Sequence, residues 1–278
     1  MRLKLVPRNT SWNFFLRSKL WIGISIILVV LSLISFFVQS LNFGIDFRGG
    51  TSIRTESSEP VNVAAYRNAL SSLDLGDITI SEVFDPSFED NQNVAMIRIQ
   101  AQPGQEAATS ILVENSFQKL REVKEDIKFV SVESVGPKVS GELIRTAIIA
   151  VVLAISAVLF YIWIRFEWQF AVGAISALIH DVILTIGVFS LLQIKFDLAI
   201  IAAILTIVGY SLNDTVVVFD RVRENLRKFK KRSLIEVMNL SINETMSRTV
   251  MTSVTTLLAL ISLFVLGGDV IRGFVFAM

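Results

Sequence analysis

An acidic side chain inside an apolar segment is the first feature of this sequence that could do chemistry. Asp214 lies in residues 207–223, IVGYSLNDTVVVFDRVR, where an apolar run ends in several positive charges. In hydrocarbon a charged side chain costs about 2.5 to 3.5 kcal/mol on insertion scales, so such residues are rare and usually mark a path for protons or ions. Asp214 is therefore a candidate proton carrier.

The neighbours of Asp214 favour a packed, polar setting. Ser211 lies one helical turn before it on the same face, and Gly209 would allow a second helix to approach closely. Asp214 precedes Asp220, where the apolar run ends, by about 9 Å of helix, which places it below the interface but short of the midplane. A helix-end carboxylate that reaches the headgroups is the alternative. The polar residues expected to support the site are Ser211, Asn213 and Thr215.

Arg248 is the predicted partner of Asp214. If the next helix begins near Glu244 and enters from the side where its predecessor leaves, Arg248 lies at a similar depth. Threonines recur with Arg248 at helical spacing on one face, and that stripe could line a hydrated path. The alternative is that Arg248 extends to the headgroups and the threonines only join helices. The threonines of this stripe are Thr245, Thr249, Thr252 and Thr256.

His180 and Asp181 form a second polar pair, near the middle of the third apolar run. Because neighbouring residues point about 100° apart on a helix, we expect the two side chains to serve different contacts rather than one shared proton. A structural polar contact between helices is the alternative, since interhelical hydrogen bonds of about 0.6 kcal/mol are common.

A glycine-rich turn, NFGIDFRGGT at residues 42–51, follows the first apolar run. Taken alone, Gly44, Gly49 and Gly50 indicate a turn in which the backbone needs positive φ or close packing. Asp46 lies inside the turn.

Composition excludes several classes of site. The chain has no cysteine and one histidine, so disulfides, thiolate metal sites and the usual histidine-cluster zinc sites are ruled out, and no metal or cofactor is expected. The net charge is +1, and no basic face is interleaved with aromatic residues, so nucleic acid is not an expected partner. With 53% hydrophobic residues the chain is too apolar for a soluble domain and is expected to lie in a membrane.

Five apolar runs are long enough to span a bilayer, and a sixth at residues 270–278 is too short, so the sixth helix is expected to be incomplete in this sequence. Basic residues precede the first run and fill residues 220–244, which predicts that the N-terminus and this loop are cytoplasmic. Leu234, Val237 and Met238 suggest a short amphipathic helix on the inner membrane surface. The predicted spans are residues 20–38, 143–164, 168–192, 198–219 and about 250–266.

The region between the first two runs, residues 41–141, alternates apolar and polar residues and is expected to be a water-facing domain outside the cytoplasm. Its predicted order βαββαβ is that of a ferredoxin-like sandwich. The chain would thus comprise residues 1–40, 41–141 and 142–278. The predicted strands are residues 51–55, 78–83, 94–100 and 129–135, and the predicted helices are residues 61–73 and 106–123.

Four motifs taken together resemble the SecD/SecF family of protein-export membrane proteins, within the RND superfamily. They are FGIDFRGGT after the first span, HD in the third, GYSLNDTVVVFDRVREN at the end of the fourth, and SINETMSRTVMTS leading into the fifth. The resemblance implies a six-helix half of an RND-type transporter, its sixth helix incomplete here, with one α+β ferredoxin-like periplasmic domain. It implies that Asp214 matches the family's proton-conducting acid and Arg248 the basic residue that acts with it.

The function implied by the resemblance is a non-enzymatic subunit of an accessory complex of the Sec translocon, which uses the proton-motive force to promote translocation across the bacterial inner membrane. SecD would supply the matching six helices. The other partners that the resemblance implies are SecYEG, YajC, YidC, the exported unfolded polypeptide and membrane lipid.

Three other functions remain open from the residues. Asp181 and Asp214 on successive helices could be the acids of an intramembrane aspartyl protease, although we expect them at different depths. A passive scaffold for translocon subunits needs no proton site. Small-molecule efflux through an RND fold is disfavoured by the single small outer domain, an argument from fold analogy.

Overall fold

The computed structural model describes residues 10–73, 75–76, 78–83, 92–101 and 110–278. In chain order the elements are α1 (Ser18–Gln39), β1 (Asn42–Phe43), α2 (Ile45–Arg48), β2 (Gly50–Ser57), α3 (Val63–Ser71), β3 (Ile78–Val83), β4 (Asn93–Gln100), α4 (Ser110–Val123), β5 (Lys128–Val135), α5 (Pro137–Arg165), α6 (Trp168–Leu192), β6 (Lys195–Phe196), α7 (Leu198–Lys228), α8 (Leu234–Leu266) and α9 (Asp269–Ala277).

The chain divides into two compact units. One comprises Met1–Asn42, Val151–Ile194 and Ala199–Met278, and the other comprises Phe43–Ala150 and Lys195–Leu198. Five helices of the described chain, α1, α5, α6, α7 and α8, are long and apolar enough to cross a membrane. They contain the five predicted spans, and α9 covers the short sixth run.

α8 begins ten residues earlier than the sequence indicated. Ser233 and Glu236 form a capping box, in which each side chain accepts a hydrogen bond from the other residue's backbone N–H. This cap starts the helix at Leu234, so the predicted surface helix is instead the first turns of α8. At the other side of the loop α7 continues to Lys228, so helix occupies most of residues 220–244, where a loop was predicted.

A close helix crossing joins α1 to α6. A Cβ added at Gly187 would lie 2.2 Å from Cβ and Oγ of Ser32, so only glycine permits this approach. One turn on, the Ser35 hydroxyl donates to Ser190 Oγ at 3.1 Å. Gly209 had been expected to admit a neighbouring helix, but a Cβ there would meet nothing within 4 Å in the described chain.

Two asparagines on α8 hold the segment that precedes α1. Asn243 forms a paired contact with Trp12, accepting from its backbone N–H at 2.9 Å and donating to its carbonyl at 2.8 Å. One turn earlier, Asn239 Oδ1 accepts from the backbone N–H of Phe14 at 2.8 Å. Both side-chain amides bond to backbone groups. Asn239 and Asn243, which we call the asparagine clamp, therefore fix the path of this segment along α8.

The second unit contains an antiparallel sheet with strand order β3-β4-β2-β5. With α3 and α4 the element order is βαββαβ, as the alternation predicted; the first residues of the second predicted helix, 106–109, lie outside the described chain. Ile53 and Ile97, side by side in the register of β2 and β4, are fully buried against Leu70 and Leu120 of the two helices. The core therefore lies between the helices and one face of the sheet.

Asp126 fixes the turn after α4. Its Oδ2 accepts hydrogen bonds from the hydroxyl of Ser58 and, at 2.7 Å, from the Ser58 backbone N–H. These bonds hold the pKa of Asp126 below its ordinary value, the hydroxyl contributing most.

Candidate functional site

An open cavity of about 590 Å³ lies among α6, α7 and α8. Both membrane acids, Asp181 and Asp214, line it, together with hydroxyl groups from α7 and α8. A space of this size with several polar partners can hold water. The other residues that line the cavity are Ala177, Ile207, Tyr210, Ser211, Thr215, Ser253, Thr256, Leu257, Leu260 and Met278.

Asp214 lies half-buried at the wall of this cavity. Among the described residues its carboxylate has no hydrogen-bond or ion-pair partner, and neither has the side chain of Arg248. Arg248 is exposed on α8 and does not line the cavity. The predicted contact between the two side chains is thus absent from this structure, and their joint role remains a prediction. Arg248 lies one turn before Thr252 on the same face of α8.

The threonines of the stripe make different contacts. Thr256 lines the cavity, whereas Thr245 is buried and donates to the Ser241 carbonyl at 3.0 Å within its own helix. Thr252 donates to the Thr249 carbonyl at 2.9 Å. Hydroxyls that satisfy themselves on the preceding turn need no other partner, so only part of the stripe faces the cavity.

Each carboxylate oxygen of Asp181 has a hydrogen-bond partner. The Ser211 hydroxyl donates to Oδ2 at 2.7 Å, and His180 Nδ1 lies 3.0 Å from Oδ1. The adjacent His180 and Asp181 side chains therefore contact each other despite their angular separation on the helix. The two residues still face different helices: Asp181 contacts α7, and His180 lines a groove beside α1.

Asp181 and Asp214 line one cavity, although their positions along the helices differ. Asp181 lies 11 residues before the end of α6, and Asp214 lies 16 residues after the start of α7. At 1.5 Å per residue Asp214 is about 7 to 8 Å farther from the connection between these helices.

The other residues expected to support Asp214 make no contact with it in the described chain. Asn213 is exposed, and the Thr215 hydroxyl donates to the Ser211 carbonyl at 2.9 Å.

Tyr210 is a site residue that the sequence reading missed. Its hydroxyl donates to the Thr252 carbonyl at 3.2 Å and is hydrogen-bonded to Thr256 Oγ1. These bonds tie α7 to α8 at the cavity. The signal was present, because a tyrosine inside an apolar run needs a partner for its hydroxyl.

A polar cluster joins the later part of α7 to the start of α8 and was also missed. Asn225, only 2% exposed, donates to Ser241 Oγ at 3.0 Å and to Glu244 Oε2 at 2.8 Å. Arg221 Nε lies 2.9 Å from the same glutamate oxygen. This cluster fixes α8 at Glu244, one residue before the stripe begins, and so limits where Arg248 can lie.

The glycine-rich turn has the backbone that its sequence predicted. Gly49 and Gly50 have φ of 71° and 131°, and a Cβ at Gly50 would lie 2.2 Å from the Ile99 carbonyl oxygen. Gly44 donates its backbone N–H to the Phe196 carbonyl at 2.8 Å. Asp46 Oδ2 accepts from the Leu198 backbone N–H at 3.2 Å, so the turn caps the start of α7 with a carboxylate.

Comparison with protein families gives two matches. A model of the C-terminal part of the protein export membrane proteins SecD/SecF matches residues 115–278, and a model of the SecD/SecF GG motif matches residues 34–61. The second match contains the glycine-rich turn, and the first contains the cavity and both acids.

Individual relatives agree with these matches. The chain is 60% identical over 277 residues to protein translocase subunit SecF of Cereibacter sphaeroides, covering 100% of this chain and 86% of the relative. It is 57% identical over 283 residues to that of Rhodobacter capsulatus, covering 100% and 85%. The crystal structure of SecDF, a translocon-associated membrane protein of Thermus thermophilus, superposes with a TM-score of 0.84 at 33% identity. That match covers 100% of this chain and 37% of the SecDF chain.

Proposed function

The chain belongs to the SecD/SecF family of protein-export membrane proteins, and we propose that it is the SecF-like half of a proton-driven accessory complex of the Sec translocon. The C-terminal family match, the identity to SecF subunits and the superposition on about a third of a SecDF chain support this assignment. In the proposed architecture the helices form one six-helix half of an RND-type transporter. A SecD protein supplies the other half.

The proposed orientation places the loop between α7 and α8 in the cytoplasm and the βαββαβ unit in the periplasm. The basic residues at the end of α7 and in this loop support it by the positive-inside rule; the basic residues before position 10 lie outside the described chain. The antiparallel sheet order supports a ferredoxin-like domain. In this arrangement the domain meets the exported polypeptide as it leaves SecYEG, with YajC and YidC as further partners.

The observation that carries the proton role is the setting of Asp214. It is an intramembrane carboxylate without a partner in the described chain, at the wall of a cavity that can hold water. An acid used only for structure would be expected to have a hydrogen-bond partner. We assign Asp214 the role of taking up and releasing the translocated proton.

Arg248 is proposed to modulate Asp214. Arg248 lies one turn before Thr252 and two turns before Thr256, the threonines that contact Tyr210. A small shift of α8 along α7 would bring it toward the cavity. An approaching positive charge favours the ionised carboxylate and hence proton release. Each charge that crosses the membrane supplies about 2.3 kcal/mol per 100 mV, enough to bias a domain equilibrium of a few kcal/mol. No covalent step is required.

Two alternatives lose support. In an aspartyl dyad two carboxylates share a proton, whereas here the oxygens of Asp181 are bonded to His180 and Ser211. A passive scaffold would not need an unpartnered acid in a cavity.

The test is export into vesicles that contain SecYEG, SecD and this chain, with and without a proton gradient. Asp214→Asn should remove the stimulation by the gradient while leaving membrane insertion and SecD binding intact. Asp220→Asn is the matched control on the same helix, since Asp220 is exposed and pairs with Arg165 at 3.0 Å. Gradient-dependent stimulation by Asp214→Asn equal to that of the control would refute the proton role.

A further inference from the structure

The proposed function assigns no role to Asp181. It lies at about the middle of α6, where an ionised group is most costly, and yet its two oxygens are engaged by different partners. Ser211 Oγ donates to one at 2.7 Å, and His180 Nδ1 meets the other at 3.0 Å. A carboxylate satisfied in this way can remain ionised in the membrane.

Ser211 bonds to Asp181 and lies near Asp214 in the sequence. It lies one turn before Asp214 on α7, and both side chains line the same cavity as Asp181. Because its single hydrogen is donated to Asp181, the Ser211 oxygen keeps its lone pairs for another donor. A protonated Asp214 carboxyl group, directly or through water in the cavity, is such a donor.

His180 contacts the second carboxylate oxygen of Asp181. Its Nε2 is buried and has no hydrogen-bond partner in the described chain. The groove that His180 lines contains apolar side chains of α1 and one serine, Ser25. With Nδ1 turned toward the carboxylate, His180 can donate its Nδ1–H to Asp181 Oδ1. On the α7 side Asp181 lines the cavity, which can hold water.

We propose that Asp181 is a second proton-carrying carboxylate in series with Asp214, with Ser211 as the hydroxyl between them and His180 as the residue that positions Asp181. This proposal rests on the proposed function of Asp214. From the proposed orientation Asp181 is the outer of the two acids, so an entering proton reaches it first.

The transfer step balances without any further reactant. A proton binds Asp181, whose new O–H donates to Ser211 Oγ. Ser211 passes its own hydrogen toward the ionised Asp214 and receives the Asp181 hydrogen in exchange. Asp181 is then ionised, Asp214 is protonated, and the hydroxyl of Ser211 is restored. His180 keeps its Nδ1 proton throughout.

The activity test is proton flux into vesicles that contain the complex with SecD. Asp181→Asn retains an amide oxygen that accepts from Ser211 but cannot carry a proton, and we expect its flux to fall about a hundredfold, the scale of losing a positioned proton acceptor. Ser211→Ala should give a similar loss. Ser211→Thr, which keeps the hydroxyl, should restore most of the flux. Wild-type flux in Asp181→Asn would overturn the proposal.

A second readout does not depend on activity. Because the chain has one histidine, ¹⁵N-histidine labelling of the full chain gives the nitrogen signals of His180 alone. We expect the Nδ1–H tautomer in the wild-type chain and a changed His180 signal in Asp181→Asn, which replaces the carboxylate that accepts from Nδ1. The other titratable groups that face Asp181 are Asp214 and Tyr210 of α7; the cavity lining contributed by α8 and the groove lining contributed by α1 contain none. An Nε2–H tautomer would refute the positioning role.

Asp214→Asn in the same flux assay separates the two proposals. If Asp214→Asn abolishes flux and Asp181→Asn does not, only the series arrangement fails. If Asp214→Asn also conducts like wild type, the proposed function itself fails.

Discussion

The crossing of α1 and α6 gives the most quantitative prediction. An alanine Cβ at Gly187 would lie 2.2 Å from Ser32 Cβ and Oγ and 2.7 Å from Ser32 Cα, where ordinary contacts begin near 3.4 Å. Turning the serine side chain cannot relieve the clash with Cα, so the helices must separate by about 1 Å. Overpacking of this kind costs about 1 to 3 kcal/mol. The separation would also weaken the Ser35–Ser190 hydrogen bond, worth about 0.6 kcal/mol in membranes.

Gly209→Ala is the matched control, because a Cβ there meets nothing within 4 Å among the described residues. Both changes replace a glycine within a membrane helix by alanine, so the gain in helix propensity, about 1 kcal/mol, cancels in the comparison. The free energy of unfolding of the full chain in mixed micelles, titrated with SDS, should be about 1 to 3 kcal/mol lower for Gly187→Ala than for Gly209→Ala. Equal stabilities would show that the helices do not meet in this way.

Other predictions concern the glycine-rich turn, the βαββαβ unit and the asparagine clamp. Gly50→Ala should lower the midpoint of thermal unfolding of the full chain far more than Gly141→Ala, since a side chain at its φ costs about 1 to 3 kcal/mol before any clash. Asp126→Asn should increase amide exchange in the sheet at pH 7. Because the folded pKa of Asp126 is depressed, this difference should be complete above about pH 3.9 and close as the pH falls through the folded pKa. Asn243→Ala removes two hydrogen bonds of about 0.5 to 1.5 kcal/mol each and should speed amide exchange at Trp12.

Hydrophobic patterning was sufficient to predict the spans and the order of strands and helices, because burial in lipid or against a sheet repeats with a fixed period. The bounds of α6 follow from the apolar run alone. The start of α8 did not follow, since a capping box at Ser233 acts locally while the apolar pattern begins only at Val250. Charged residues between these points suggested a loop, although a helix outside the bilayer tolerates them on any face.

The site was predictable as a set of residues and not as a set of contacts. The cost of an acid in hydrocarbon singles out Asp214 and Asp181 from sequence alone. It does not reveal that Asp181 bonds Ser211, because that depends on the rotation of α6 against α7. Nor does helical spacing show which threonines of the stripe contact Tyr210. Gly209 shows the same limit: a small residue permits a close crossing but does not require one, and the crossing occurs at Gly187.

Proton flux through Asp214 is the most direct test of the central proposal. Vesicles that contain SecD and this chain, with a pH-sensitive dye inside, should take up protons when a potential is imposed. Asp214→Asn should reduce uptake to the rate of protein-free vesicles, while Asp220→Asn should conduct like wild type. Uptake by Asp214→Asn at the wild-type rate would contradict the assignment of Asp214 as the proton carrier.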